Sequence, residues 1–285
     1  MFKIADKQLL APDIWSMNIE APRVSKSARP GQFVIVRGSQ DGERIPLTIA
    51  DYDVEKGSVR IVIQTVGAST RKMVRLSVGD NLADFAGPLG HPSEFIYEDP
   101  ERLANKKFLL VAGGVGAAPV YPQAKWLHEH GVAADVIIGA RNSEMLIMTD
   151  EMKAVADNVY IATDDGSKGF HGNVTALMKD LIDNQGRKYD EIITIGPMIM
   201  MKFVARTAAE YGIKCTASLN TLMIDGTGMC GACRVSIDGK MKFACVDGPE
   251  FDASKIDFDE AMRRQTMYKE KESIADHRCR IGLNE

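Results

Sequence analysis

Cysteine is absent from the first 214 residues of this chain, and only five occur among all 285 residues. Long hydrophobic runs are also missing: none approaches the ~20 residues needed to cross a bilayer, so we expect no membrane span. The formal net charge of −4 leaves no basic excess for binding phosphates, so we expect no nucleic-acid partner. The N-terminus lacks an apolar signal core followed by a cleavage site, and we therefore expect a cytoplasmic protein.

The composition is that of an ordinary folded protein. Hydrophobic residues make up 45% and charged residues 26% of the chain, which is typical of globular domains. A length of 285 residues, at roughly 150 residues per domain, predicts two domains with room for a small third one.

The first hundred residues show short strands separated by turns. Residues 32–36 and 59–64 are rich in β-branched and aromatic side chains with partial alternation. Turn signals such as Pro30-Gly31 and Gly79-Asp80 separate such segments. Because several short strands at regular spacing are typical of antiparallel barrels and sandwiches, we predict a β-barrel over residues 1–100.

Strands and helices alternate over residues 101–215. Four short apolar runs are separated by helical patterns, and the runs cover residues 107–111, 135–139, 159–163 and 191–196. The first helical pattern covers residues 117–130. This alternation indicates an α/β domain with a parallel sheet covered on both faces.

Loops after these apolar runs carry residues suited to binding a nucleotide. Gly113, Gly114 and Gly116 lie between a strand and a helix, where backbone N–H groups hold a pyrophosphate. Arg141 follows the second strand, where an acidic residue usually contacts ribose. It either accepts a 2′-phosphate or forms a surface salt bridge, and we favour the salt bridge. Because the carboxyl ends of parallel strands converge on one crevice, we predict a nucleotide site with these candidate residues: Gly113, Gly114, Gly116, Ala118, Pro119, Arg141, Asp164, Gly196 and Pro197.

A second candidate phosphate site lies in the predicted barrel. Val66, Gly67, Ser69 and Thr70 precede a predicted helix over residues 71–76. Ser69 or Thr70 is either an ordinary helix N-cap or part of a phosphate-binding helix start, and the local pattern supports both equally.

All five cysteines lie between residues 215 and 279, and three of them follow an iron–sulfur pattern. Plant-type [2Fe–2S] sites use C-x4-C-x2-C and a distant fourth cysteine. Here Asp225, Cys230, Cys233 and Cys245 give D-x4-C-x2-C-x11-C, so a carboxylate replaces the first thiolate. Oxygen is a harder donor than sulfur, and it should alter the potential of the cluster. We predict a [2Fe–2S] cluster with these four ligands.

Two other interpretations of the cysteines remain open. A C-x2-C pair is also found in zinc sites, although no histidine lies near Cys245. Alternatively, Asp225-Gly226 forms only a tight turn, and Cys215 is the fourth ligand. Otherwise, Cys215 and Cys279 are small buried residues. A charged segment over residues 257–272 predicts an exposed C-terminal helix.

Taken together, these motifs resemble the ferredoxin–NADP reductase superfamily. The resemblance is carried by Pro30-Gly31-Gln32-Phe33-Val34, Arg44-Ile45-Pro46-Leu47-Thr48, Gly67-Ala68-Ser69-Thr70, Gly113-Gly114-Val115-Gly116 and Gly196-Pro197. The added cysteine module is similar to that of dihydroorotate dehydrogenase electron-transfer subunits. Residues 223–231 and Met262-Arg263-Arg264-Gln265 resemble the small subunits of bifurcating NADH-dependent reduced ferredoxin:NADP oxidoreductases, which are also labelled sulfide dehydrogenase subunits.

The resemblance implies three cofactors, namely FAD, a [2Fe–2S] cluster and NAD(H). Pro46, Leu47 and Thr48 would line the flavin, and Gly67, Ser69 and Thr70 would contact its pyrophosphate, with Val66 as a further cofactor-binding candidate. The activity implied is electron transfer between NAD(H), FAD and the cluster, with no acid–base residue in this chain. The implied partner is a larger flavin and iron–sulfur subunit that uses NADP(H), with ferredoxin as an indirect partner.

Two alternative functions remain. The first is an electron-transfer subunit of dihydroorotate dehydrogenase, which ordinarily carries a cysteine at the position of Asp225. The second is a zinc-stabilised nucleotide-binding regulatory protein without redox turnover. The predicted organisation is an FAD-binding barrel over residues 1–100, an NAD(P)-binding domain over residues 101–215, and a [2Fe–2S] module with a C-terminal helix over residues 216–285.

Overall fold

A computed structural model describes residues 2–281, and it contains three modules along the chain. An antiparallel barrel comes first, a helix-covered parallel sheet follows (the nucleotide domain), and a small C-terminal module completes the chain. The predicted fold class is confirmed.

The barrel is a seven-stranded antiparallel sheet in the order β6-β1-β2-β5-β4-β3-β7. Its elements are β1 (Phe2–Ala11), β2 (Ile14–Glu20), α1 (Pro22–Ser27), β3 (Phe33–Arg37), β4 (Ile45–Asp53), β5 (Ser58–Gln64), α2 (Ala68–Met73), β6 (Asn81–Leu82) and β7 (Asp84–Leu89). The edge strands β6 and β7 are separated by Ala83 alone, so the sheet curls back on itself. Its interior contains β-branched residues such as Val34, Val36 and Ile61, all fully buried.

The predicted helix over residues 71–76 is shifted toward the N-terminus, because α2 begins at Ala68 after Gly67. The Thr70 hydroxyl accepts hydrogen bonds from the backbone N–H groups of Val66 and Gly67, both at 3.1 Å. These bonds start the helix three residues early. Thr70 therefore lies in the first turn, and neither Ser69 nor Thr70 is the N-cap residue.

The nucleotide domain has a sheet in the order β11-β10-β9-β8-β12-β13-β16, parallel except for β16. Its elements are α3 (Pro100–Leu103), β8 (Lys107–Gly113), α4 (Ala117–Glu129), β9 (Ala133–Ala140), α5 (Thr149–Lys153), β10 (Asn158–Thr163), β11 (Phe170–His171), α6 (Val174–Asp183), β12 (Glu191–Ile195), α7 (Met198–Glu210) and β13 (Lys214–Ser218). Buried strands explain the apolar runs, because helices cover both sheet faces. No helix within residues 2–281 is long and apolar enough to cross a membrane.

The C-terminal module contains a hairpin, a short strand and three helices. They are β14 (Arg234–Ile237), β15 (Lys240–Phe243), α8 (Ala244–Asp247), β16 (Glu250–Asp252), α9 (Phe258–Gln265) and α10 (Lys269–Arg280). Strand β16 pairs antiparallel with β13, so this module extends the sheet of the nucleotide domain. The predicted domain boundary at residue 215 falls inside β13, and the three-domain division stays a prediction.

The prediction of one exposed helix over residues 257–272 is wrong in two respects. The segment forms two helices, because the chain leaves α9 after Gln265 and re-enters a helix only at Lys269. The first helix is also partly buried, since Phe258 and Ala261 pack into the core that includes residues of α7. The second helix lies against α2 of the barrel, where Asp276 pairs with Arg71 at 2.7 Å.

Candidate functional site

The cluster loop, residues 219–233, lies against barrel strand β3. Cys233 and Cys245 share a small buried core with Phe33 and Ile35 of β3 and with Met223. In the register of β3 with β4, Phe33 is opposite Thr48 and Ile35 is opposite Pro46. One strand therefore separates the cysteine pair from the β4 residues that the sequence assigns to the flavin.

Left-handed glycines allow the loop to approach the barrel this closely. Gly226 has a φ of +77°, and a side-chain carbon on it would lie 2.7 Å from Leu89 Cδ1 and 3.0 Å from Ile35 Cγ1. Gly228, with a φ of +81°, would bring such a carbon within 3.0 Å of Val246. Only glycine combines this conformation with this space.

The structure brings the side chains of two predicted ligands, Cys233 and Cys245, into contact, and it does not bring all four together. The Sγ atoms of Cys233 and Cys245 are 3.2 Å apart, and both residues are buried. The Asp225 carboxylate instead accepts hydrogen bonds from the backbone N–H groups of Thr227 and Cys230, each at 2.9 Å. Within residues 2–281, no three histidine, cysteine, aspartate or glutamate side chains are arranged to hold a metal ion.

The pKa shifts of Asp225 and Cys245 have opposite directions. Hydrogen bonds from the Thr227 and Cys230 backbone lower the pKa of Asp225, so this carboxylate is ionised at neutral pH. Burial raises the pKa of Cys245 to about 12, so its thiol carries a proton unless a metal replaces it.

The residues present fit a [2Fe–2S] cluster. Asp225, Cys230 and Cys233 lie in the cluster loop and Cys245 lies in α8, and a donor set rich in sulfur favours iron–sulfur clusters. Arg264 of α9 donates to the Ala232 carbonyl at 3.1 Å, and its buried Nε has no hydrogen-bond partner among the described residues. A buried N–H donor without a partner beside the loop is suited to an anionic cluster. Cys215 is buried on β13, outside the loop.

The predicted flavin residues lie on β4 and at the start of α2. Pro46, Leu47 and Thr48 are half-buried in β4. At α2, a side-chain carbon on Gly67 would meet no atom within 4 Å, so the backbone there borders open space. Ser69 donates a hydrogen bond to the Glu43 carboxylate. Arg44 approaches Asp84 at 4.0 Å, next to the stronger Arg37–Asp84 pair.

Glycines bring two loops of the nucleotide crevice into direct contact. A side-chain carbon on Gly116 would lie 2.1 Å from the Ile195 carbonyl oxygen, and one on Gly196 would lie 3.0 Å from the Gly113 backbone. Gly114 has a φ of +54° and open space where a side chain would be. Ala118 and Pro119 are buried in the first turn of α4, and Pro197 is exposed at the start of α7. This cradle at the carboxyl ends of β8 and β12 fits a pyrophosphate.

Arg141 and Asp164 lie together at the carboxyl ends of β9 and β10, on the same side of the sheet as the glycine cradle. The backbone N–H of Asp164 donates to the Ala140 carbonyl at 3.1 Å, and both Arg141 and Asp164 are exposed. The Arg141 guanidinium forms no salt bridge with any residue that the structure describes. The favoured interpretation of Arg141 as a salt-bridge partner is therefore wrong for the described residues, because none of their carboxylates lies within 4.0 Å of its guanidinium.

Sequence reasoning missed a partly buried carboxyl group, that of Glu250, between the modules. The Glu250 carboxyl oxygen Oε1 accepts hydrogen bonds from Ser93 Oγ at 3.0 Å and Gln123 Nε2 at 2.6 Å. These residues lie 157 and 127 positions from Glu250, so no local pattern links them. The Pro30-Gly31 motif was the available signal, since a side-chain carbon on Gly31 would lie 2.8 Å from Glu250 Oε1.

Comparisons with known proteins agree with this arrangement. Residues 110–206 match the oxidoreductase NAD-binding domain, and residues 220–257 match the iron–sulfur cluster binding domain of dihydroorotate dehydrogenase B. A dihydroorotate dehydrogenase B (NAD(+)) electron transfer subunit homolog from Thermotoga maritima is 47% identical, over 97% of this chain and 94% of the relative.

Solved structures give the same result. A chain from the structure of an NADH-dependent reduced ferredoxin–NADP oxidoreductase, described in connection with flavin-based electron bifurcation, superposes with a TM-score of 0.89. The two chains are 45% identical over 98% of this chain and 97% of the other. Phthalate dioxygenase reductase, at 17% identity, 83% and 85% coverage and a TM-score of 0.56, shares the fold.

The fold and the site define the electron-transfer subunit of an oxidoreductase, with FAD, NAD(H) and a [2Fe–2S] cluster as cofactors. The predictions of function and cofactors are thereby confirmed. The chain belongs to the family of dihydroorotate dehydrogenase B electron transfer subunits and their homologues, whose members pair with a larger subunit.

Proposed function

We propose that this chain is the small subunit of an NADH-dependent reduced ferredoxin:NADP oxidoreductase. In this proposal its partner is a larger flavin and iron–sulfur subunit that uses NADP(H), and ferredoxin exchanges electrons with that partner. The 45% identity to a chain of such a complex supports this proposal, and so does Asp225 in place of a fourth cysteine. A cytoplasmic location is part of the proposal, because reducing compartments keep the thiols of such sites free.

Each predicted site residue receives a role. Asp225, Cys230, Cys233 and Cys245 would ligate the cluster. Residues of β4 and α2 would hold FAD, namely Pro46, Leu47, Thr48, Val66, Gly67, Ser69 and Thr70. The glycine cradle and its neighbours would hold NAD(H), namely Gly113, Gly114, Gly116, Ala118, Pro119, Arg141, Asp164, Gly196 and Pro197. When bound, the flavin exchanges a hydride with the nicotinamide and single electrons with the cluster.

The single observation that carries the proposal is the core shared by the cluster loop and β3. Phe33 and Ile35 pack against Cys233 and Cys245 and pair with Thr48 and Pro46 of β4. Buried side chains thus fill the space between the cluster loop and β3, the strand next to β4. This packing also fixes the loop and the predicted flavin strand at close range, which electron transfer between them needs.

Cofactor analysis of anaerobically purified protein tests the proposal. We expect one flavin, two irons and two sulfides per chain, a flavin spectrum with an iron–sulfur shoulder, and no zinc. Zinc without iron would establish the regulatory interpretation instead. Co-expression with the gene product encoded next to it should then yield a complex in which NADPH reduces ferredoxin and NAD⁺ together.

A catalytic subunit of dihydroorotate dehydrogenase is the second candidate partner. The match of residues 220–257 to the iron–sulfur domain of that enzyme favours it. Reduction of NAD⁺ by dihydroorotate in the co-expressed complex would establish this candidate and reject the first.

A further inference from the structure

A partly buried carboxyl group lies where the three modules meet. Glu250, on β16, accepts hydrogen bonds from Ser93 Oγ at 3.0 Å and from Gln123 Nε2 at 2.6 Å. Ser93 follows the last barrel strand, and Gln123 belongs to α4 of the nucleotide domain. Both are fully buried. Glu250 thus links the C-terminal module to the other two modules through one oxygen atom.

No cation balances this carboxyl group. Glu250 forms no ion pair with the residues that the structure describes. The charged groups that face it are acidic: Glu94, next to Ser93, and Glu191 of β12. The nearby Lys214 is paired with those two carboxylates, and α4 contributes the neutral Gln123. An ionised carboxylate in this position is disfavoured, because partial burial reduces its solvation without a compensating charge.

The group formed by Glu250, Ser93 and Gln123 lacks one hydrogen-bond donor. Both donors bond to Oε1 of Glu250, whereas Oε1 of Gln123 is a buried acceptor without a partner among the described residues. A protonated carboxyl group adds one O–H donor to this cluster. The neutral acid therefore suits the site better than the ion.

Backbone hydrogen bonds hold the two residues before Glu250 to the segment that follows the barrel and to the cluster loop. The backbone N–H of His91 donates to the Gly248 carbonyl at 2.6 Å, and Leu219 N–H donates to the Pro249 carbonyl at 2.9 Å. A side-chain carbon on Gly31 would lie 2.6 Å from Ser93 Oγ. This segment follows the candidate ligand Cys245 by five residues or fewer, so its docking fixes where Cys245 lies relative to the barrel.

We propose that Glu250 is a positioning residue whose protonated side chain fastens the C-terminal module to the barrel and to α4, which sets the distance between the cluster loop and β4. This inference rests on the proposed function only for its effect on electron transfer. The docking itself depends on Glu250, Ser93 and Gln123 and requires no cofactor.

The proposal gives docking a definite pH dependence. Burial raises the pKa of Glu250 from 4.5 to about 7. Because the docked acid holds its proton more tightly than the released acid, docking is strongest below the lower pKa. It weakens about tenfold per pH unit between the two values, and it is constant above the higher one.

Hydrogen exchange of the full-length holoprotein tests this dependence. We expect the opening equilibrium of the amides in residues 246–252 and 90–93, corrected for intrinsic exchange, to rise about tenfold per pH unit between about pH 5 and pH 7. E250Q should exchange at the slow, low-pH level throughout, because glutamine supplies the missing donor without titrating. The matched control E129Q changes an exposed carboxylate of α4 that does not face Glu250, and it should keep the wild-type profile.

Two further readouts separate this role from a merely structural one. Ser93→Ala removes a hydrogen bond that lowers the Glu250 pKa, so the pH profile should move to higher pH. After rapid mixing with NADH, reduction of the cluster should slow with rising pH in the wild type but not in E250Q. A flat wild-type exchange profile, or an E250Q profile that still follows pH, would overturn the proposal. Protein without iron or flavin would instead reject the proposed function and leave the exchange result standing.

Discussion

Asp225 has an observed role in the loop and a proposed role as a cluster ligand, and substitutions can separate the two. Its carboxylate accepts hydrogen bonds from the backbone N–H groups of Thr227 and Cys230, and in the sequence it stands where the C-x4-C-x2-C pattern has its first cysteine. We predict that Asp225→Cys retains the cluster with a changed potential, because sulfur replaces the harder oxygen. Asp225→Ala should leave the cluster labile or absent. Iron and sulfide content, redox titration and EPR measure both effects.

Asp238→Asn is the matched control for this experiment. Asp238 is exposed in the same module at a φ of +52°, a conformation that asparagine tolerates, so cluster content should not change. Full cluster content with an unchanged EPR signal in Asp225→Ala would show that the carboxylate is not a ligand.

Arg141 is the residue at which nucleotide preference can be altered. Its exposed guanidinium has no ion-pair partner among the described residues and lies where an acidic residue would contact ribose. We predict that Arg141→Ala weakens NADPH binding by about tenfold, through loss of a charge-assisted hydrogen bond, and changes NADH binding little. Calorimetric titration with both nucleotides measures this difference. Lys188→Ala changes an exposed lysine just before β12, at the opposite ends of the strands, and should alter the binding of neither nucleotide. Equal losses of NADH and NADPH binding in Arg141→Ala would reject the assignment of Arg141 to the 2′-phosphate.

Among the elements, strand β3 has two faces with different roles. Val34 points into the barrel core, whereas Ile35 packs against the cluster loop. We predict that Ile35→Ala lowers the free energy of unfolding by about 2–5 kcal/mol and also makes the cluster labile, because the cavity lies under Gly226. Denaturant unfolding and iron retention during gel filtration measure the two effects.

Val34→Ala is the matched control on the same strand. It should also lower the free energy of unfolding, because a buried side chain is truncated, but iron retention should remain normal. If Val34→Ala and Ile35→Ala released iron equally, general destabilisation would explain the loss, and the contact between β3 and the cluster loop would not.

Helix α10 is held on the barrel by an ion pair that titrates. The hydrogen bond from Arg71 lowers the pKa of Asp276, so the pair stabilises docking at neutral pH. That contribution is lost as the pH falls through the lowered pKa. We predict that Asp276→Asn accelerates hydrogen exchange in α10 and in the facing helix α2. Glu270→Gln, on the exposed surface of the same helix, should leave exchange unchanged, and a normal rate in Asp276→Asn would mean that other contacts hold α10.

At the scale of the whole molecule, the three modules share structural elements and should unfold together. Strand β16 belongs to the C-terminal module and completes the sheet of the nucleotide domain. The cluster loop covers the buried face of β3. We predict a single cooperative transition for the full chain in calorimetry, and aggregation of a chain that ends at residue 218, because the face with Phe33 and Ile35 is then exposed. A chain lacking only α10 should remain soluble, and a soluble, folded chain ending at residue 218 would contradict the prediction.

The sequence by itself determined the order and type of the modules and most of the candidate site. Hydrophobic runs, turn residues and the D-x4-C-x2-C-x11-C spacing are local signals, because they reflect strand burial, backbone conformation and ligand geometry over short stretches of chain. The early start of α2 was missed because the Thr70 hydroxyl, rather than residue propensity, fixes it. The break between α9 and α10 was missed because the charge pattern runs across it.

Only the tertiary structure decided how the modules meet. The packing of Cys233 and Cys245 on β3 joins residues that are about 200 positions apart, and Glu250 joins Ser93 and Gln123 over 157 and 127 positions. Such contacts leave no periodic pattern in a single sequence, because they depend on the shapes and charges of surfaces that exist only after each module has folded. For the same reason, the sequence showed an ordinary glutamate at position 250, and the fold surrounded it with two donors and no cation.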